Sequence, residues 1–182
     1  MIDFSKNYFE LFELPNDYTV DQEQLAQRYR EMQRVMHPDR FASATDQERR
    51  LSMQGAALIN EAYQTLKDPM LRAKYQLGLL GVDMDAQQQG STQDMAFLME
   101  QMALRERLEQ ARSDEDPYQV IDALKRDLKQ QLAVLVEQFA DKIAAPECEN
   151  LDAAQELVRK MQFMQKLHHD AESLEAELDE AY

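Results

Sequence analysis

Cysteine is nearly absent from this chain: Cys148 stands alone in 182 residues. An intrachain disulfide and a cysteine-cluster metal site are thereby excluded, and the composition suits a reducing cytosol. Lying between Pro146 and Asn150, that thiol reads as part of a surface loop. Glycine and proline are also scarce, at four and five residues. The abundant Ala, Leu, Met, Gln, Glu and Arg lose little freedom in a helix, so a nearly all-α protein is expected. No stretch reaches the ~18 apolar residues of a membrane span, and the opening MIDFSKNYFE lacks the basic patch and apolar run of a secretory signal. A soluble cytoplasmic protein is the expectation. Positive charge is short too: the formal net charge is −15, and a nucleic-acid polyanion would be repelled by that field.

What is present divides unevenly. Residues 1–75 carry 10 Lys and Arg against 12 Asp and Glu, whereas residues 76–182 carry 10 against 23. The two halves therefore face different partners. Hydrophobic residues make up 44% of the chain, enough for a core in each half.

Apolar spacing outlines the helices. A short segment over residues 5–13 holds Tyr8, Phe9, Leu11 and Phe12 and stops at Pro15. Asp21 is placed to cap a second helix whose Leu25, Tyr29, Met32 and Met36 form one stripe ending near Pro38. Thr45 or Asp46 caps a third, with Leu51, Gly55, Leu58, Ala62 and Leu66 on one face, ending before Pro69. The two stripes predict a helical hairpin. A fourth helix starts at Pro69, runs through Leu71, Tyr75 and Leu79, and stops at Gly81. The polar VDMDAQQQGST of residues 82–92 reads as a linker between domains at 1–81 and 93–182. Three longer helices follow: Thr92 to about Arg112, Pro117 to Ala144, and Leu151 to near the C-terminus. In the second, Ile121, Leu124, Leu128, Leu132, Leu135, Phe139 and Ile143 keep a 3/4 spacing. In the third, Leu157, Met161, Met164, His168, Ala171, Leu174 and Leu178 do much the same. Short connections favour an antiparallel three-helix bundle.

His37-Pro38-Asp39 sits in the loop of the hairpin. Taken alone the tripeptide would be a solvated turn, and no nucleophile or carboxylate cluster lies near it in sequence to make it catalytic. Its flanks give it meaning. Arg30 and Arg34 share one stripe of the second helix, Arg28 lies elsewhere on that helix, and Arg40 stands just past the loop. A positive spot kept in an acidic chain can steer an acidic partner surface toward the loop.

The fifth helix is apolar on two sides. At about 100° per residue, Phe97, Leu104, Leu108 and Ala111 cluster on one face, and Met95, Leu98, Met99 and Met102 on roughly the opposite one. One face packs in the bundle; the other packs elsewhere in the protein or waits for a partner. Methionine adapts to varied surfaces and is enriched at binding sites. Phe163, two residues from Met161, falls off the stripe of the last helix and is expected to stand exposed, as interface aromatics do. His168 and His169 point about 100° apart with no third ligand near, so they read as one core-edge and one surface histidine, and no metal is expected.

VMHPDRF, with NYFELFELP before it and INEAYQTLKDPMLRAKY after it, resembles the J-domain family of co-chaperones over residues 7–75. That resemblance implies a non-enzymatic protein whose His37-Pro38-Asp39 loop and basic second helix dock on a seventy-kilodalton heat-shock chaperone and stimulate its ATP hydrolysis. Arg40 stands where many J-domains carry Lys, which keeps the charge and changes the hydrogen-bond geometry. The chain has no Gly/Phe-rich linker and no CxxCxGxG repeats. TQDMAFLMEQMALRERLEQ and KMQFMQKL are instead similar to the HscB-type J-proteins of iron–sulfur cluster assembly. This implies that the C-terminal bundle binds the scaffold IscU through Leu98, Met99, Met102, Glu106 and Phe163, that the J-domain recruits the chaperone HscA, and that no cofactor is held. Ala103 departs from a position acidic in relatives. A J-protein with another client, and a helical scaffold with an accidental HPD, are the alternatives.

Overall fold

The computed structural model describes residues 3–37, 40, 44–84, 94–144 and 151–180. Pro38, Asp39, Gly90, Thr92 and Cys148 lie outside the described residues. The chain is all-α, with α1 (Tyr8–Leu11), α2 (Gln22–Met36), α3 (Asp46–Lys67), α4 (Pro69–Leu79), α5 (Met95–Ala111), α6 (Pro117–Ala144) and α7 (Leu151–Glu180) among the described residues. It divides into two compact units, Met1–Gln76 and Leu77–Tyr182.

Local chemistry sets the helix ends of the first unit. Asn7 and Glu10 form a capping box on α1, Asp21 accepts from the Glu23 and Gln24 amides at the start of α2, and Thr45 and Glu48 make a second capping box on α3. Glu13 takes the left-handed conformation (φ 55) that ends α1, with the Leu14 amide donating back to the Phe9 carbonyl at 2.9 Å.

Packing then brings the elements together. Phe9, Leu11, Phe12 and Leu14 join Leu25 and Met36 of α2 and Ile59, Ala62 and Leu66 of α3 in one core. Across the hairpin, the Tyr29 and Tyr63 rings stack at 4.0 Å. Both the Tyr29 hydroxyl and the Gln33 amide donate to Asn60, at 3.0 and 2.8 Å. The inward face of α3 is rotated from the expected stripe: Ser52 and Ile59 are buried while Leu51 and Leu58 are only half-buried, because α3 packs on α1 as well as α2. The stripe expected on α4 holds at Tyr75, which packs against the core with its ring stacked 4.3 Å from Tyr8, and is corrected at its two leucines. Leu71 and Leu79 are exposed, whereas Arg72, Ala73 and Leu77 are buried. Arg72 turns that side inward, its guanidinium 4.9 Å from the Tyr18 ring centroid and donating to the Leu66 carbonyl at the end of α3. The Tyr18 hydroxyl donates to the Pro69 carbonyl at 3.0 Å, and burial pushes its phenol up to about 12. Gly81, at φ +85, closes α4 in a conformation that favours glycine.

In the second unit α6 and α7 pack antiparallel and α5 covers both. Ile121, Leu124, Leu128, Leu135 and Phe139 face Val158, Met161, Met164, Leu167, Ala171 and Leu174. Polar pairs fix the register: the Tyr118 hydroxyl donates to Asp179 at 2.9 Å and Lys125 donates to Glu175 at 2.8 Å, so early α6 meets late α7. Asp116 and Pro117 start α6, the carboxylate accepting from the Gln119 amide at 3.1 Å. The buried stripe of α7 is wider than expected, taking in Ala154, Val158, Phe163 and Leu167, because that helix has two neighbours to cover.

Candidate functional site

The loop end of α2 is built by the residue that follows it. Proline restricts its predecessor to extended backbone, and His37 leaves the helix at φ −58, ψ 128. Its side chain is exposed. The last carbonyls of a helix have no partner within it, and here two are satisfied from outside. The Ser52 hydroxyl, buried on α3, donates to the Met36 carbonyl at 2.9 Å. Arg40 reaches back so that its Nη1 donates to the Arg34 carbonyl at 3.1 Å, and its amide donates to the His37 carbonyl at 3.0 Å. Sequence reasoning had no signal for Ser52; the periodicity of α3 pointed at Leu51.

The four arginines divide into two kinds. Arg28 is half-buried and tied to Glu13 at 3.0 Å and Glu31 at 3.4 Å. Gln27 donates to Glu31 at 2.9 Å, and with Arg28 it holds that carboxyl below its ordinary range. Arg40 caps α2. Arg30 and Arg34 stand exposed on the helix, as does the apolar Val35 between Arg34 and Met36.

The second candidate surface is α5. Asp94, and not Thr92, is its N-cap: one carboxylate oxygen accepts from the Phe97 amide at 3.1 Å and the other from Lys160 of α7 at 2.7 Å. The Lys160 bond and the Phe97 amide hold the Asp94 carboxyl below its ordinary value. Lys160 also lies 5.0 Å over the Phe97 ring. Phe97, Leu104 and Ala111 are buried as the spacing predicts. The other face is open: Met95, Met99 and Met102 are 69%, 68% and 73% exposed. Leu98 is half-buried at its margin, and Glu106 and Ala103 are exposed.

Phe163 is corrected. Rather than standing out from the bundle, it is 9% exposed, edge-on to Phe97 at 5.7 Å and 84°, with the Arg105 guanidinium 5.3 Å over its ring. The off-stripe position arises because α7 turns one side to α6 and another to α5. Sequence reasoning also missed Arg105, seven residues after Leu98 and therefore on the same flank of α5. His168 is half-buried and His169 exposed, at 3.7 and 3.9 Å from Glu172. Among the described residues no group of three or more His, Cys, Asp or Glu is arranged to hold a metal ion, and no helix is long and apolar enough to cross a membrane.

The two units have counterparts in known protein families. The DnaJ domain family matches residues 7–76 and the HSCB C-terminal oligomerisation domain family matches residues 93–172. Co-chaperone protein HscB homologs from Shewanella loihica and Shewanella amazonensis are 41% and 42% identical over 169 and 173 residues, each alignment spanning 93% of this chain and 97% of the relative. The structure of the chaperone HscB from Vibrio cholerae superposes with a TM-score of 0.80 at 38% identity, covering 95% of this chain and 99% of that one. Human co-chaperone HscB shares the fold, with a TM-score of 0.80 at 24% identity over 95% of this chain and 84% of its own. A J-domain followed by an HscB-type bundle, at this identity and over this length, places the chain in the HscB family of J-domain co-chaperones.

Proposed function

We propose that this co-chaperone binds an IscU-type iron–sulfur scaffold on the open face of α5, delivers it to an HscA-type heat-shock chaperone in the cytoplasm, and stimulates that chaperone's ATP hydrolysis. The division of labour follows a J-domain at 1–81, a linker at 82–92 and a client-binding bundle at 93–182. The observation that carries the reading is the row of exposed methionines on a helix whose opposite face buries Phe97, Leu104 and Ala111 in the bundle. A water-facing apolar row is costly to keep unless a partner covers it.

Each surface has its own chemistry. Leu98, Met99 and Met102 supply apolar area, worth about 1.5–3 kcal/mol for each side chain fully covered before ordering costs are met. Glu106 gives a charged rim, and Phe163 acts from beneath by seating α5 against α7. On the other unit His37, Pro38 and Asp39 engage the chaperone, with Arg30 and Arg34 steering its approach and Arg28 and Arg40 holding α2 and its loop in shape. In this reading the hydrolysis belongs to the partner: this chain times it, and the cluster is cargo.

The test is steady-state ATP hydrolysis by HscA with and without IscU, comparing wild type, His37→Gln and Leu98→Ala/Met102→Ala. His37→Gln should abolish stimulation, and the double substitution should remove only the part that depends on IscU. Undiminished IscU synergy in the double variant would make the client some other protein.

A further inference from the structure

Methionine is sorted by environment in this chain. Met36, Met84, Met161 and Met164 are buried at 8% exposure or less, and Met32 and Met70 are half-buried. Only Met53, Met95, Met99 and Met102 are exposed among the described residues. Three of these four form the open row of α5, separated by four and three residues and so aligned along one side of the helix. The fourth, Met53, sits on α3 of the other unit.

A thioether is the one apolar side chain that a mild two-electron oxidant converts directly into a polar one, and access decides which thioethers react. Leucine in this row would give the same apolar area without that chemistry. We propose that Met95, Met99 and Met102 are a reversible oxidation site, at which peroxide switches off client binding by the α5 face. This rests on the reading of that face as the scaffold-binding surface. In the step, the thioether sulfur donates an electron pair to one oxygen of hydrogen peroxide. The S–O bond forms as the O–O bond breaks, sulfur is oxidised by two electrons, and the other oxygen leaves as water with both hydrogens. The product sulfoxide is a strong hydrogen-bond acceptor. Covering it with an apolar partner surface strips its water without replacing it, which disfavours the complex. Reduction by dithiol-dependent methionine sulfoxide reductases, one for each sulfoxide epimer, returns the thioether, forming a disulfide and water.

The experiment uses the full chain carrying Cys148→Ser, so that no thiol competes for oxidant. It is treated with hydrogen peroxide, mapped by peptide mass spectrometry, and titrated with IscU before oxidation, after oxidation, and after both epimer-specific reductases with dithiothreitol. Met95, Met99 and Met102 should oxidise ahead of Met36, Met161 and Met164, with IscU affinity falling about tenfold or more and recovering on reduction. The readout is the ratio of affinities before and after peroxide within each protein. That ratio should collapse to one in Met95→Leu/Met99→Leu/Met102→Leu and stay at the parental value in Met53→Leu. Unselective oxidation, or full sulfoxide formation with unchanged affinity, overturns the switch while leaving the scaffold-binding reading standing. Failure of the untreated protein to bind IscU overturns both.

Discussion

Phe163 separates two accounts of the proposed client surface, one in which it touches the partner and one in which it holds α5 in place. The side chain is 9% exposed and edge-on to Phe97 at 5.7 Å. Replacing a buried phenylalanine with alanine costs about 3–5 kcal/mol. Phe163 lies at the edge of the bundle, where neighbours close in more easily, so the lower end, about 3 kcal/mol, applies. A loss of that size raises the open population of α5 by about 10²-fold. Phe163→Leu keeps most of the apolar volume and should cost about 1 kcal/mol. The assay is amide hydrogen exchange of α5 alongside denaturant unfolding of the C-terminal unit and IscU titration, for wild type, Phe163→Leu and Phe163→Ala. Protection of α5 should fall in step with client affinity through the series. If Phe163→Ala weakens IscU binding while α5 protection and stability stay at wild-type values, the packing argument is refuted and Phe163 is a direct contact.

Three further outcomes follow from the structure. Ser52→Ala strips the Met36 carbonyl of its buried donor and should lower the stability of the J-domain by about 1–2 kcal/mol; an unchanged urea midpoint would show that the bond at 2.9 Å contributes nothing. Asp94 has a folded-state pKa lowered from its ordinary 3.8, so its contribution is fully present above that value and is lost as pH falls through the depressed one. The bundle should therefore soften below about pH 4, and Asp94→Asn, which can still cap α5, should flatten that part of the melting-temperature profile. Gly81→Ala meets no atom within 4 Å but is held at φ +85, and should cost about 1–2 kcal/mol by chemical denaturation from backbone strain alone; no loss would mean the end of α4 relaxes.

Sequence by itself determined much of this protein. Helix ends at Asp21, Thr45, Pro69 and Pro117 were legible because capping and proline chemistry are local. The stripe Leu25, Tyr29, Met32 and Met36, and the two-faced pattern of α5, were legible because each apolar face keeps the regular 3/4 spacing of a helix. What the tertiary structure alone decided are the places where a helix has two neighbours or a side chain bonds across the chain. Packing of α7 on both α5 and α6 buried Phe163, which the pattern of α7 alone had put outside. Packing of α3 on α1 and α2 shifted its inward face to Ser52 and Ile59, and so delivered a hydroxyl to the end of α2. Arg72 was drawn inward by the Leu66 carbonyl and the Tyr18 ring, against its own polarity, and displaced Leu71 from the core. Periodicity reports how much of a helix is apolar; the direction that apolar face turns depends on partners far away in sequence, and only the folded chain brings them into contact.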